Sequence, residues 1–372
     1  MATQKLSVGI DFGTSMSSVA IISTGAVEVL KNEDDNSCTP AYVSFSEVGR
    51  RLIGERAKEQ AVLNSNKTAF GIKRLLGLQS AKASNEAKSL LFPFAVNENS
   101  NGIKINISDG TIALSLLPEQ LAAMMISKLK YLADCRLNSN VTDAVITVPS
   151  NFNSYQRQAV KDAGVIAGFK NVHLLNEPTA AAVSYSDTLS ANDSHTILVL
   201  DFGAGFVSAT VAIVRNGSVD VKGSSVEKFG LMDIDLMIMK RCIDSMTVGQ
   251  ETIYSNSKAI ERLRSACENI RRSIRHQKDI KILLECFHNT ADLKFSLSDS
   301  DVSDLISDKV CEVVSKVISM ALKKSNLCIK RETKPMLDCV LMERSCSRIP
   351  FLRKVVSKSV ENATVVKRWD YT

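Results

Sequence analysis

The chain contains one turn twice. Residues 8–20, VGIDFGTSMSSVA, and residues 198–210, LVLDFGAGFVSAT, share an apolar strand, then Asp-Phe-Gly and a small residue, then a returning apolar strand, 190 positions apart. β-Branched runs on either side of a glycine-bearing turn read as a hairpin. Each hairpin gains a third strand, AVEVL after Thr24-Gly25 and VDVKG after Asn216-Gly217, and two-residue turns ending in glycine favour that connection. The fold therefore has to accommodate two copies of a β-meander. With 372 residues, more than the roughly 250 to 300 at which one core stops growing, two lobes are expected.

Between the copies, periodicity predicts a helix over 117–138, a buried strand DAVITV and a helix over 154–167. VHLLNEPTAAAVSY follows, where Asn176 suits an N-cap and Pro178 the first helical turn, so Glu177 stands at a helix mouth. After the second copy, helices are predicted over 257–275 and 301–324, with strands near 279–285 and 336–342. The two turns differ in chemistry. An acid at a strand end followed by glycine and hydroxyls can hold phosphate and, through water, a metal. Asp11, Gly13, Thr14, Ser15 and Ser17 supply these parts, whereas the second turn is almost bare of hydroxyls.

Bulk properties narrow the class. Hydrophobic residues make up 45% and charged residues 23%, and no apolar run approaches the roughly 20 residues that cross a bilayer. No membrane association is expected. The N-terminus lacks an apolar or arginine-rich leader, and the nine cysteines are odd in number without a Cys-x-x-Cys pair, so a cytoplasmic, reduced protein is expected. The four histidines lack zinc spacing. Net charge is +6, with basic faces at Arg271, Arg272, Arg275 and Lys278 and at Lys323, Lys324, Lys330, Arg331 and Lys334. Such faces suit solvent or a phosphate-bearing partner such as RNA.

The segment DAVITVPSNFNSYQRQAVKDAGVIAGFKNVHLLNEPTAAAVSY closely resembles the signature of heat shock protein 70 chaperones. LIGERAKEQAVLNSNKTAFGIKRLLG and DFGTSMSS resemble that family in the same order. The resemblance implies an α/β, actin-like ATPase fold with nucleotide between duplicated β-meanders. It implies lobe I over 1–190, with subdomain IA at 1–40 and 118–190 and IB at 41–117. Lobe II would span 191–372, with IIA at 191–230 and 308–372 and IIB at 231–307. The implied ligands are ATP or ADP with Mg²⁺, held through water by Asp11 and Asp201. Gly13, Thr14 and Ser15 match the first phosphate loop, and Lys73 and Glu177 match the residues that orient the attacking water. Asp201, Gly203, Gly205 and Gly230 are what remains of the phosphate turns in the second lobe, where Asp201 also counts as catalytic. Glu268, Arg271, Arg272 and Arg348 match nucleoside contacts, and Pro149 and Arg157 match the family's interdomain switch.

Departures concentrate in the second half. Phe206 replaces a threonine and stands as a bulky group where the loop should close. Ser208 replaces an acid, Leu231 and Met232 replace a glycine and a glutamate, and Arg344-Ser345-Cys346 replaces Gly-Gly-Ser. The expectation is an ATP-binding chaperone or co-chaperone with impaired hydrolysis. Alternatives are a non-hydrolysing scaffold for a J-domain partner at the ribosome, or a truncated inactive relative. A J-domain co-chaperone and a nucleotide-exchange factor are the implied partners. With no substrate-binding domain in the sequence, unfolded polypeptide is expected to be reached only indirectly, and DNA not at all.

Overall fold

The computed structural model describes residues 6–46, 49–99, 102–108, 113–246, 249–273, 279–288, 291–327, 337–343, 349, 351–360 and 366–369. Ser7–Phe12, Met16–Ser23 and Ala26–Val29 form an antiparallel meander, and Asp143–Val148 and Asn171–Asn176 add in parallel beside Ser7–Phe12. The second lobe repeats this order with Ser194–Phe202, Val207–Arg215 and Ser218–Glu227, followed in parallel by Cys339–Glu343 and Val366–Trp369. Even the register repeats: Asp11 pairs with Ser18, and Asp201 with Ser208. The duplicated α/β architecture expected from the sequence is the one found.

The helices follow from burial. Parallel neighbours need crossovers, and Ser154–Ile166 supplies the one between Asp143–Val148 and Asn171–Asn176. Alternation in Ser7–Phe12 sends Val8, Ile10 and Phe12 inward, where they meet Leu121, Ile126 and Leu129 of helix Pro118–Leu137. In the second lobe both sheet faces are covered, by Ala181, Ala182 and Tyr185 of helix Glu177–Ser186 on one side and Val310, Val314 and Val317 of helix Asp299–Ser325 on the other. Strand Val207–Arg215 is accordingly buried at nearly every position, the pattern of a strand covered on both faces. The helix expected over 257–275 is described as Ser257–Ser273.

Two local expectations change. Asn176 stands at the N-cap of helix Glu177–Ser186 but makes no side-chain cap. Its Oδ1 instead accepts from Arg157 Nη2 at 2.8 Å, because that guanidinium, which also donates to the carbonyls of Phe152 and Ser150, offers a stronger charge-assisted bond. Phe206 is no obstruction. It leaves the second turn, joins the core of the first lobe and meets Phe152 edge to face at 5.9 Å. Beside it Ser150, Ser224 and Thr210 form a hydroxyl chain across the lobes with 2.8 Å steps. Phe206→Ala is expected to cost about 3–5 kcal/mol, the usual loss for a buried phenylalanine. Denaturant unfolding checks this; a change under about 0.5 kcal/mol, within the range of ordinary surface substitutions, would mean that the ring does not fasten the lobes.

Candidate functional site between the lobes

The two turns face each other. A Cβ built on Gly205 would lie 2.6 Å from Thr14 Oγ1 and 3.1 Å from Arg74 Cδ, so backbone of one lobe meets side chains of the other and only glycine fits. Within the first turn, a Cβ on Gly13 would strike the Met16 carbonyl. The Gly13 amide donates to Ser17 Oγ at 3.2 Å, and Asp11 Oδ1 accepts from Thr147 Oγ1 at 2.8 Å. Ser15 and Thr14 line the cleft with Met16.

Lys73 lies behind the first turn. Its side chain is 2% exposed, and Nζ donates to the Phe12 carbonyl and to Glu177 Oε1. A lysine this buried keeps its charge only with such partners. The local sequence places it: Gly71, at φ +66°, turns strand Thr68–Phe70 into the short helix Ile72–Arg74. Glu177 reaches the same point from the mouth of its helix. These residues are 104 positions apart, and their meeting is the most chemically pointed feature of the cleft.

The second turn is stitched to the helix after it. The amides of Leu231 and Met232 donate to the carbonyls of Gly203 and Ala204 at 3.1 and 3.0 Å, and Asp233 accepts the Gly230 amide at 2.8 Å. A Cβ on Gly230 would meet the Ala204 carbonyl at 2.4 Å. Helix-start N–H groups of this kind commonly hold anions; here they close on the protein's own backbone. Asp201 is half-buried at the strand end, and Ser208, opposite it, has the one buried side-chain oxygen without a hydrogen-bond partner among the described residues.

Arg74 is a member of this site that the sequence reading passes over. It is 4% exposed and donates to Glu86 at 2.5 Å and Asp233 at 2.6 Å, while Lys228 also reaches Glu86 at 2.7 Å. Two residues of each lobe thus share one ionic knot. Burial raises the Asp233 carboxyl above its ordinary range, although Arg74 pulls it down. The only sequence signal for it was the arginine beside Lys73.

The expected nucleoside contacts are divided. Arg271 is buried in a two-pronged pair with Asp235 at 2.6 and 3.1 Å, and burial nevertheless raises the Asp235 carboxyl. Glu268 lies in the cleft wall, bound by Lys58 of the first lobe at 3.1 Å and by Arg272. Arg272 is half exposed beyond it. Arg348 and the 344–346 segment lie outside the described residues, as do Arg275 and Pro350. One cavity between the lobes, lined by Thr14, Ser15, Gly71, Asp235 and Glu268 among others, measures about 30 Å³, room for about one water.

These residues fit part of a Mg-nucleotide. Glycine-backed turns and a buried lysine suit phosphate, and two strand-end acids suit the hydrated metal that accompanies it. Among the described residues no three His, Cys, Asp or Glu side chains gather as metal ligands, so Mg²⁺ would rest on Asp11 and Asp201 through its own waters. The purine side fits less well, since Arg271 is already paired. The described residues include no helix long and apolar enough to cross a membrane.

The family model for the Hsp70 protein matches residues 7–367 of this chain. Heat shock 70 kDa protein BIP3 of Oryza sativa subsp. japonica is 31% identical over 353 residues, which cover 94% of this chain and 52% of that protein. A heat shock 70 kDa protein of Trichophyton rubrum is 31% identical over 355 residues, covering 94% and 53%. The chain spans about half the length of these relatives.

Burial raises the Glu268 carboxyl, but Lys58 and Arg272 outweigh it and leave it below its ordinary range. Its folded pKa is thus depressed, so its contribution to stability is full above the ordinary carboxylate range and is lost as pH falls through the folded value. Lys58→Met is expected to flatten this acid limb. The check is thermal melting from neutral pH to pH ~3, across the carboxylate range; an unchanged slope would mean that Lys58 does not hold Glu268.

Proposed function

The chain belongs to the Hsp70 family, and from that premise we propose that it is an ATP- and ADP-binding unit of chaperone type whose hydrolysis is impaired. The family's function is chaperone-type and its members bind nucleotide; the impairment is inferred from this chain's own residues. The observation that carries it is the state of the second turn. With the Leu231 and Met232 amides given to Gly203 and Ala204, and Gly205 against Thr14, a phosphate can enter only by parting the lobes and displacing internal hydrogen bonds.

The hydrolytic half is better preserved. Glu177, held by Lys73, is a carboxylate able to orient a water, and the remaining N–H of the Lys73 ammonium can reach a terminal phosphate, roles that phosphoryl transfer requires. Asp11, fixed by Thr147, and Asp201 would hold Mg²⁺, which when bound neutralises phosphate charge. Gly13, Thr14 and Ser15 would face the phosphates, Gly203, Gly205 and Gly230 would let backbone approach them, and Glu268 and Arg272 would border the nucleoside. The lobe and subdomain boundaries expected from the resemblance belong to this proposal.

A second reading is a non-hydrolysing scaffold for a J-domain partner, with a nucleotide-exchange factor or the ribosome as further contacts. The Arg74, Glu86, Asp233 and Lys228 knot favours it, because it ties the lobes without nucleotide. Calorimetric titration of Mg-ATP and Mg-ADP beside single-turnover hydrolysis separates the two. The first reading expects measurable binding and slow turnover that Lys73→Ala or Glu177→Ala lowers at least about tenfold, a loss of roughly 1.4 kcal/mol in the barrier. Turnover unaffected by either variant would overturn it; absence of binding together with co-sedimentation with ribosomes would favour the scaffold.

A further inference from the structure

A second cavity lies in the first lobe and shares no wall residue with the cleft. Its volume is about 600 Å³, within the roughly 300–1,000 Å³ of small-molecule sites. Four separate parts of the chain build it: Gly77 and Leu78, just past the segment that carries Lys73; Ile103 of strand Gly102–Ser108; and the facing ends of helices Pro118–Leu137 and Ser154–Ile166. Gly77, at φ +61°, is pressed so closely on the second of these helices that a Cβ there would meet Gln156 Cα at 2.5 Å. The floor at Ile103 is buried, while Val165 and Ile166 at the lip are 58% and 57% exposed.

The walls are apolar apart from two carboxylates, Glu119 and Asp162, and no lysine, arginine or histidine lines them. Asp162 accepts from Gln158 Nε2 at 2.8 Å, and the Gly77 amide donates to Glu119. Burial, and to a lesser extent the charge of Asp162, push the Glu119 carboxyl above its ordinary range. The site therefore combines open apolar surface with a half-buried carboxylate, Glu119, and a solvent-exposed one, Asp162, beside it.

We propose that this groove binds a small organic cation, an ammonium or guanidinium on an apolar body, with the body against Leu78, Ile103, Val165 and Ile166 and the charge at Glu119 and Asp162. A neutral apolar ligand would desolvate the half-buried Glu119 further without compensating it. An anion would be repelled, and a bare divalent ion would find two carboxylates where calcium takes six to eight oxygens.

The test uses 2-phenylethylamine and its neutral isostere 2-phenylethanol, followed by methyl NMR of the whole chain. The amine is expected to shift the Ile103, Val165 and Ile166 methyls saturably in the millimolar range, a free energy suited to so small a ligand. The alcohol should bind at least about tenfold more weakly. Glu119→Gln and Asp162→Asn should each weaken the amine several-fold and leave the alcohol unchanged, with the remaining methyl spectrum confirming the fold. Equal affinity for amine and alcohol, an amine insensitive to both substitutions, or no shift at these methyls would overturn the proposal.

Discussion

The contact of Gly205 with Thr14 is the constraint on which the rest of the molecule depends. A side chain at 205 would meet Thr14 within 3 Å, so the lobes can meet only because backbone is presented there. Once it is, neighbouring groups come within bonding range. Phe206 enters the first lobe's core, Arg74 reaches Asp233, and Lys58 reaches Glu268. Each of these interactions crosses between the lobes and is lost when the two turns part, although Arg74 also pairs with Glu86, and Glu268 with Arg272, within their own lobes.

Their chemistry is uneven, and that bears on what holds the cleft. The Phe206 and Phe152 rings bury apolar surface and are insensitive to salt. The Arg74 and Asp233 pair across the cleft, like the Arg271 and Asp235 pair within the second lobe, is largely buried, where desolvation offsets much of the attraction; both act by penalising any arrangement that leaves one member alone. Asp233 and Asp235, whose carboxyls burial pushes upward, are the groups most exposed to that penalty. Arg264 adds a neutral-acceptor version, donating across the lobes to the carbonyls of Leu90 and Leu91 at 2.7 and 2.8 Å.

Much of this was legible in the sequence, for identifiable reasons. The repeat survives as strand alternation and glycine, and both are fixed by local backbone geometry, so the two sheets and their turns could be read directly. Helical spacing likewise showed that Glu268, Arg271 and Arg272 cluster on one helix. It could not show which neighbour would claim each of them. Asp235, on an adjacent helix, takes Arg271, and its only signal was an acid among the apolar residues of DIDLMIM. The nearness of Lys73 to Glu177 came from resemblance alone, since nothing local links residues so far apart. The path of Phe206 into the first lobe is not legible, because size can be read from sequence and direction cannot. Asn176 does not cap because an arginine within reach claims its side-chain oxygen, a contact that local propensity does not show.

Gly205 has a further consequence, for timing. Any molecule held between the lobes can leave only after Gly205 has separated from Thr14, and every cross-lobe bond described above must loosen with it. The residence time of a bound molecule then includes the opening of the protein, which a ligand slows to the extent that it favours the closed arrangement over the open one.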